Sequence, residues 1–157
     1  FLEAAKKLHS ENVEFAILGY CDEDYQQQLD DLEKQGVITQ LGFHTEVHPY
    51  LKAASAIVIA SFHEGMSNAL IEASATGRPV IASRISGCKE AFEEGITGIG
   101  FTPGKSEELV AAMEQFLSLP VKERARMGQE ARAKMEREFD RREVTVSYLQ
   151  VVKKVLN

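Results

Sequence analysis

The chain has 157 residues, enough for one domain with a buried core. Its formal charge of −6 and pI of about 5.3 argue against nucleic acid as a partner, which asks for a basic face. No apolar run approaches the roughly 20 residues of a membrane span and no charged, apolar, small-residue leader opens the chain, so a soluble, cytoplasmic protein is expected.

The first segment, FLEAAKKL, sets Phe1, Leu2, Ala5 and Leu8 at helical spacing with no capping residue ahead of them. The chain is therefore expected to start inside a helix, with something upstream. Short β-branched runs then alternate with amphipathic segments. VEFAIL precedes DEDYQQQLDDLEKQ, ITQLGF precedes EVHPYLKAA, AIVIAS precedes SNALIEASAT, PVIAS precedes CKEAFEEG, and TGIGF precedes SEELVAAMEQFLSL. Strand followed by helix, repeated, is the order of βαβ units, whose strands run parallel under helices on both faces. The pattern predicts an α/β fold, a Rossmann-like doubly wound parallel sheet in three layers, forming one domain over residues 1–157. AIVIA, an unbroken apolar run, is expected near the sheet centre.

After Pro120 the pattern is helical only. KERARMGQEARAKMEREF carries a narrow stripe of Met127, Ala131, Met135 and Phe139, which predicts a surface helix lying on the sheet layer. REVTVSYLQVVKKVL follows, with Val144, Tyr148, Val151, Val152 and Val155 on one face that needs a partner. The two cysteines, Cys21 and Cys88, have no metal or redox spacing and are expected to be reduced thiols.

In open parallel sheets, ligands bind beyond the carboxyl ends of the strands, where loops meet helix N-termini. SFHEGMSNALIE is such a junction. Gly65 lets backbone approach a ligand, Ser67 or Asn68 is placed to cap the following helix, and first-turn amides with the helix dipole make an anion site suited to phosphate. Glu72 lies five residues after Ser67, about 7.5 Å along a helix. That reach suits ribose hydroxyls when a diphosphate sits on the helix end. Glu64, before the glycine, would face the other end of the ligand, although a solvated helix acid and a turn acid are the plain alternatives.

Three other patterns compete. TGIGFTPGKS resembles a P-loop, but Ile99 stands where the pattern needs glycine and Pro103 removes an amide. A strand, a turn and a helix capped by Ser106, with Glu107 and Glu108 in its first turn, is the expected structure instead. Asp22, Glu23 and Asp24 imitate a metal-binding D-x-D yet open a helix, where acids favour the dipole. His9, His44, His48 and His63 show no zinc spacing, so no metal site is expected. A glycosidase pair is disfavoured because Glu72 belongs to a helix and does not face Glu64 across a cleft.

EGMSNALIE followed by ASATGRPVIAS resembles the E-x7-E region of the retaining glycosyltransferases of family 4, which have the GT-B architecture of two Rossmann-like domains. VEFAILGY, ITQLGF, PYLKAASAIVIASFHEG, ISGCKEAFEEGITGIGF and KSEELVAAMEQFL are similar in order and spacing to the carboxy-terminal, donor-binding half of that family. The likeness covers roughly residues 1 to 139, and the final helix resembles the one that crosses back to the other domain. It implies that Glu64 is the catalytic acid beside the donor sugar and that Glu72 holds the ribose. It implies that the amides of Gly65, Met66, Ser67 and Asn68 bind the diphosphate, and that Gly19, Phe43 and His44 lie at the base. The implied co-substrate is a nucleotide-diphosphate sugar, with no cofactor and no obligatory metal.

The family also uses a basic pair just ahead of the point where this chain begins, and an amino-terminal acceptor domain. Lys6 and Lys7 fall where the family has ordinary surface lysines. The chain is thus expected to be a donor-binding half that needs its missing amino-terminal domain, with at most peripheral membrane association of the full enzyme. A nucleotide-sugar 2-epimerase-like isomerase and a non-catalytic nucleotide-binding or interaction module are the alternatives.

Overall fold

Five short parallel strands alternate with helices in a computed structural model that describes residues 1–10, 12–21 and 23–156. In chain order these are α1 (Leu2–Leu8), β1 (Ala16–Leu18), α2 (Glu23–Lys34), β2 (Thr39–Gly42), α3 (His48–Ala53), β3 (Ile57–Ile59) and α4 (Asn68–Ala75). There follow β4 (Val80–Ser83), a 3₁₀ turn (Lys89–Ala91), β5 (Gly98–Phe101), α5 (Ser106–Ser118), α6 (Val121–Glu138) and α7 (Arg141–Leu156). The ladders form two groups: β1 pairs with β2, and β4 lies between β3 and β5, all parallel.

β4 shows why the layers form. All four of its residues are buried, and successive side chains of a strand point to opposite faces. Ile81 enters a core shared with Ile99, Phe101 and the α5 residues Leu109, Met113 and Phe116. Val80 and Ala82 enter a second core with Leu70 and Ala73 of α4. A sheet with apolar faces on both sides, each covered by a helix, is the predicted three-layer arrangement. Phe15, just ahead of β1, packs against the first of these cores together with Ala56 and Val58, so one apolar interior joins the two ladders.

Three local expectations are corrected. The sheet centre is β4 and not AIVIA, because β3 is hydrogen-bonded on one side only and its three residues are half-buried. CKEAFEEG is not a helix beyond the short 3₁₀ turn. Phe92 is extended at φ −142° and ψ 160°, Glu90 turns back to accept the Gly87 N–H at 2.7 Å, and Thr97 Oγ1 accepts the Glu93 N–H at 2.7 Å. These side-chain bonds outcompete the helical ones. The third correction concerns α6, which buries Met127, Ala131 and Met135 as expected but packs chiefly on α4, while its Met127 also joins the core of Ile81, Ile99 and Phe101. A Cβ at Gly128 would stand 2.2 Å from the Gly77 carbonyl oxygen, so this close crossing requires glycine. The last helix, α7, buries none of its described residues. Among the described residues no helix is long and apolar enough to cross a membrane.

Candidate functional site

β3 runs into the loop 60–67, and α4 begins at Asn68. Leu70, Ala73 and Ser74 are buried, which leaves Asn68, Ala69 and Glu72 on the exposed side of the same helix. The Leu70 and Ile71 amides bond to the Ser67 carbonyl at 3.1 Å each. The amides of Gly65, Met66, Asn68 and Ala69 have no hydrogen-bond partner among the described residues, and all four residues are exposed. Unpaired N–H groups at a helix start carry partial positive charge.

Ser67 behaves differently from its neighbours. It is 2% exposed, and its amide donates to the Gly87 carbonyl at 2.9 Å. It occupies the N-cap position without a side-chain cap bond, so the expected capping is not made. Of the four amides named from the sequence, those of Gly65, Met66 and Asn68 are open and that of Ser67 is engaged inside the protein. Ala69 takes its place.

The two acids differ in setting. Glu64 is half-buried and its Oε1 accepts the Ser61 hydroxyl at 2.6 Å. Behind it lies Cys88, wholly buried, whose thiol is pushed up by burial and by the charges of Glu64 and Glu90. Glu72 is exposed, and one turn after Asn68 its Cα–Cβ bond tilts back toward the open helix start. Gly87, not singled out in the sequence, holds this corner together. Its φ is +86°, and a Cβ on it would stand 2.4 Å from the Gly65 oxygen. Its signal was the Ser-Gly pair after PVIAS, a turn dipeptide.

A second cluster lies at the carboxyl ends of β1 and β2. The Gly19 amide donates to the Gly42 carbonyl at 2.9 Å, with φ +133° and +71° at the two glycines. The residue after each glycine is aromatic, and the rings of Tyr20 and Phe43 stack with centroids 4.5 Å apart and planes 9° from parallel. His44 Nε2 lies 2.8 Å from Tyr50 Oη and 2.9 Å from the Leu41 carbonyl oxygen. The sequence singled out Gly19, Phe43 and His44 but passed over Tyr20. An aromatic directly after a strand-ending glycine was the available signal.

The rival motifs resolve physically. In TGIGFTPGKS the strand ends at Phe101 and α5 starts at Ser106, with Lys105 at the N-cap and no side-chain cap bond, so Ser106 does not cap. Glu108 accepts the Thr102 N–H at 2.9 Å, and that contact, with Arg84 and Lys105 nearby, holds its carboxyl below the usual range. A carboxylate thus sits on the turn that a P-loop would use for phosphate. In the acidic trio, Asp22 lies outside the described residues and Asp24 is exposed. Among the described residues no three His, Cys, Asp or Glu side chains gather as a metal site. Lys6 is exposed and paired with Glu3 at 2.7 Å.

The family described as glycosyl transferases group 1 matches residues 1–118. The lipopolysaccharide core biosynthesis glycosyltransferase LpsE of Rhizobium meliloti is 28% identical over 78% of this chain and 36% of its own length. A glycogen synthase of Mycobacterium tuberculosis is 31% identical over 78% of this chain and 31% of its own. The chain therefore spans about a third of the length of these relatives. Among solved structures, Anabaena Alr3699/HepE in complex with UDP-glucose superposes with a TM-score of 0.84 at 22% identity, over 98% of this chain and 44% of that one. The sucrose-phosphate synthase tll1590 from Thermosynechococcus elongatus gives 0.85 at 20% identity, over 99% and 41%. These likenesses establish the fold, the Rossmann-like half of a GT-B architecture.

Proposed function

The chain belongs to the group 1 glycosyl transferases, and on that premise we propose that it is the donor-binding half of a retaining transferase of family 4. The sugar leaves a nucleotide diphosphate for an acceptor hydroxyl with its anomeric configuration kept. The bond from the anomeric carbon to the diphosphate oxygen breaks, the bond to the acceptor oxygen forms, and the hydroxyl proton is released.

The observation that carries this reading is the open start of α4, where the amides of Gly65, Met66, Asn68 and Ala69 are unpaired with Glu72 on the same exposed side. Donors fixed before the reaction stabilise charge as it develops on the leaving diphosphate. No obligatory metal is needed for that step. Glu72 accepts ribose hydroxyls. Glu64, steadied by Ser61, contacts the sugar near its reacting carbon. Ser67 and Gly87 position the loop, and Gly19, Phe43 and His44 border the base. Complexes of the neighbour HepE with UDP and with UDP-glucose support a donor of this class.

The acceptor domain is the missing partner. Relatives about three times as long support a two-domain enzyme in which this half alone does not transfer sugar. Among the described residues Cys21 and Cys88 form no disulfide, which fits a cytoplasmic protein, with at most peripheral contact between the full enzyme and a membrane.

The test is product analysis with the full-length protein and a panel of nucleotide sugars, alongside an NMR titration with UDP, GDP and ADP. Transfer with retention, and shifts confined to Gly65–Glu72 and the ends of β1 and β2, are expected. A 2-epimerised nucleotide sugar as product, or no shifts at Gly65–Glu72 with any of the three, would overturn the reading.

A further inference from the structure

We propose that Tyr20 is a nucleobase-contacting residue, and that it works with Phe43 as a two-ring platform on whose outer face the donor's base stacks. This rests on the donor-binding reading above and adds to it a residue and a mode of recognition. The rings are 4.5 Å apart and 9° from parallel, in contact, so a base does not enter between them. Tyr20 is 82% exposed and Phe43 53%. One broad face of Tyr20 is therefore covered by Phe43 and the other is open to solvent.

Exposed aromatics on mobile side chains are common, but this pair is built. Each ring directly follows a strand-ending glycine with positive φ, and the Gly19 amide to Gly42 carbonyl bond of 2.9 Å fixes the spacing of the two backbones from which the rings project. Both glycines supply backbone conformations that side-chain-bearing residues rarely adopt. The platform stands at the carboxyl ends of parallel strands, the edge on which open α/β sheets bind ligands and on which α4 offers its open amides. A planar heteroaromatic ring is the partner an exposed aromatic face selects, because stacking removes apolar surface from water while leaving the base edges free.

The neighbouring polar groups favour stacking over edge reading. His44 Nε2 is already approached by Tyr50 Oη at 2.8 Å and the Leu41 oxygen at 2.9 Å, which occupies that nitrogen. The platform therefore supplies affinity for any base more than choice among bases.

The experiment is isothermal titration of the full-length protein, as wild type, Tyr20→Ala, Tyr20→Phe and Tyr20→Ala/Phe43→Ala, with UDP, GDP and ADP and with ribose 5-phosphate as the baseless probe. Tyr20→Ala is expected to weaken the three nucleotides about 5- to 150-fold, Tyr20→Phe to restore them, and ribose 5-phosphate to bind all four proteins alike. Both side chains are exposed, so folding is not at stake. Nucleotide affinities of Tyr20→Ala within about twofold of wild type would be below any stacking contribution and would overturn the proposal while leaving the donor-binding reading intact. Equal loss of ribose 5-phosphate would also overturn it, since the effect would then not belong to the base. Failure of the wild-type protein to bind any nucleoside diphosphate would sink both.

Discussion

Ser67 and Gly87 are joined backbone to backbone, amide to carbonyl, at 2.9 Å. That bond fastens the loop ahead of α4 to the loop after β4, and it explains why one amide in the middle of the open set is closed. The fastening continues on the far side of Gly87, whose own N–H is held by Glu90 Oε2 at 2.7 Å. The rigidity of the open start of α4 therefore comes from a segment about twenty residues downstream of it.

Gly87→Ala tests this fastening. The added Cβ meets the Gly65 oxygen at 2.4 Å and the Glu64 oxygen at 2.6 Å, at a φ of +86°. Backbone of that kind costs about 1–3 kcal/mol for a residue with a side chain, and the contacts are with main chain that cannot swing aside. A lower urea midpoint and weaker nucleotide binding are expected together. A variant with wild-type values of both would show that the two loops are not tied.

Glu72→Ala separates function from fold. The side chain is exposed, and no hydrogen bond or ion pair holds it in the free protein among the described residues, so stability should stay within about 0.5 kcal/mol. Loss of charged hydrogen bonds to ribose should cost about 1.5–3 kcal/mol of nucleotide affinity. Calorimetric titration beside a thermal melt reads both. If affinity holds while the protein is folded, Glu72 belongs to the solvent and not to the donor.

For Glu64 the expected split is the opposite. In the full-length protein, Glu64→Gln keeps the size of the side chain and an acceptor for Ser61 but removes the charge that the proposed reading sets beside the sugar. Turnover should fall while the dissociation constant for the bare nucleoside diphosphate stays near wild type. Ser61→Ala, which deletes the 2.6 Å bond without touching the carboxylate, should lower turnover less. Equal losses in nucleotide affinity and turnover for Glu64→Gln would remove the assigned sugar contact.

What could be read from the sequence follows the range of the forces involved. Strand and helix alternation is local, and from VEFAIL to TGIGF each strand fell inside its apolar run. The E-x7-E junction was equally local, since Glu64, Gly65 and Glu72 are fixed by one loop and one helix. Gly87 was missed because its role is a contact between two loops that only the folded sheet brings together. The stacking of Tyr20 was not legible for the same reason: its partner Phe43 follows a different strand. The burial of β4 relative to β3 depends on which strand gains a neighbour on both sides, and hydropathy alone does not carry strand order. CKEAFEEG looked helical because its spacing is, whereas side-chain bonds from Glu90 and Thr97 decide its path.

The start of α7 is expected to respond to acid. Asp140 accepts the Arg142 backbone N–H at 2.9 Å and its Nε at 2.9 and 3.0 Å. The Arg142 side-chain and backbone bonds draw its carboxyl down to about 2, against an ordinary value of 3.8. A depressed pKa means that the folded state prefers the ionised form. Its contribution to stability is therefore complete above about pH 4 and disappears as the pH falls through about 2. Asp140→Asn removes the titrating group. The helical circular dichroism and melting temperature of wild type should exceed those of the variant by a constant margin from neutral pH down to about pH 4, a margin that closes toward pH 2. Because α7 buries none of its described residues, its first turn has no packing to replace the lost charge, and the effect should concentrate there. A margin that persists at pH 2, or is absent at neutral pH, would show that Asp140 does not anchor this helix through its charge.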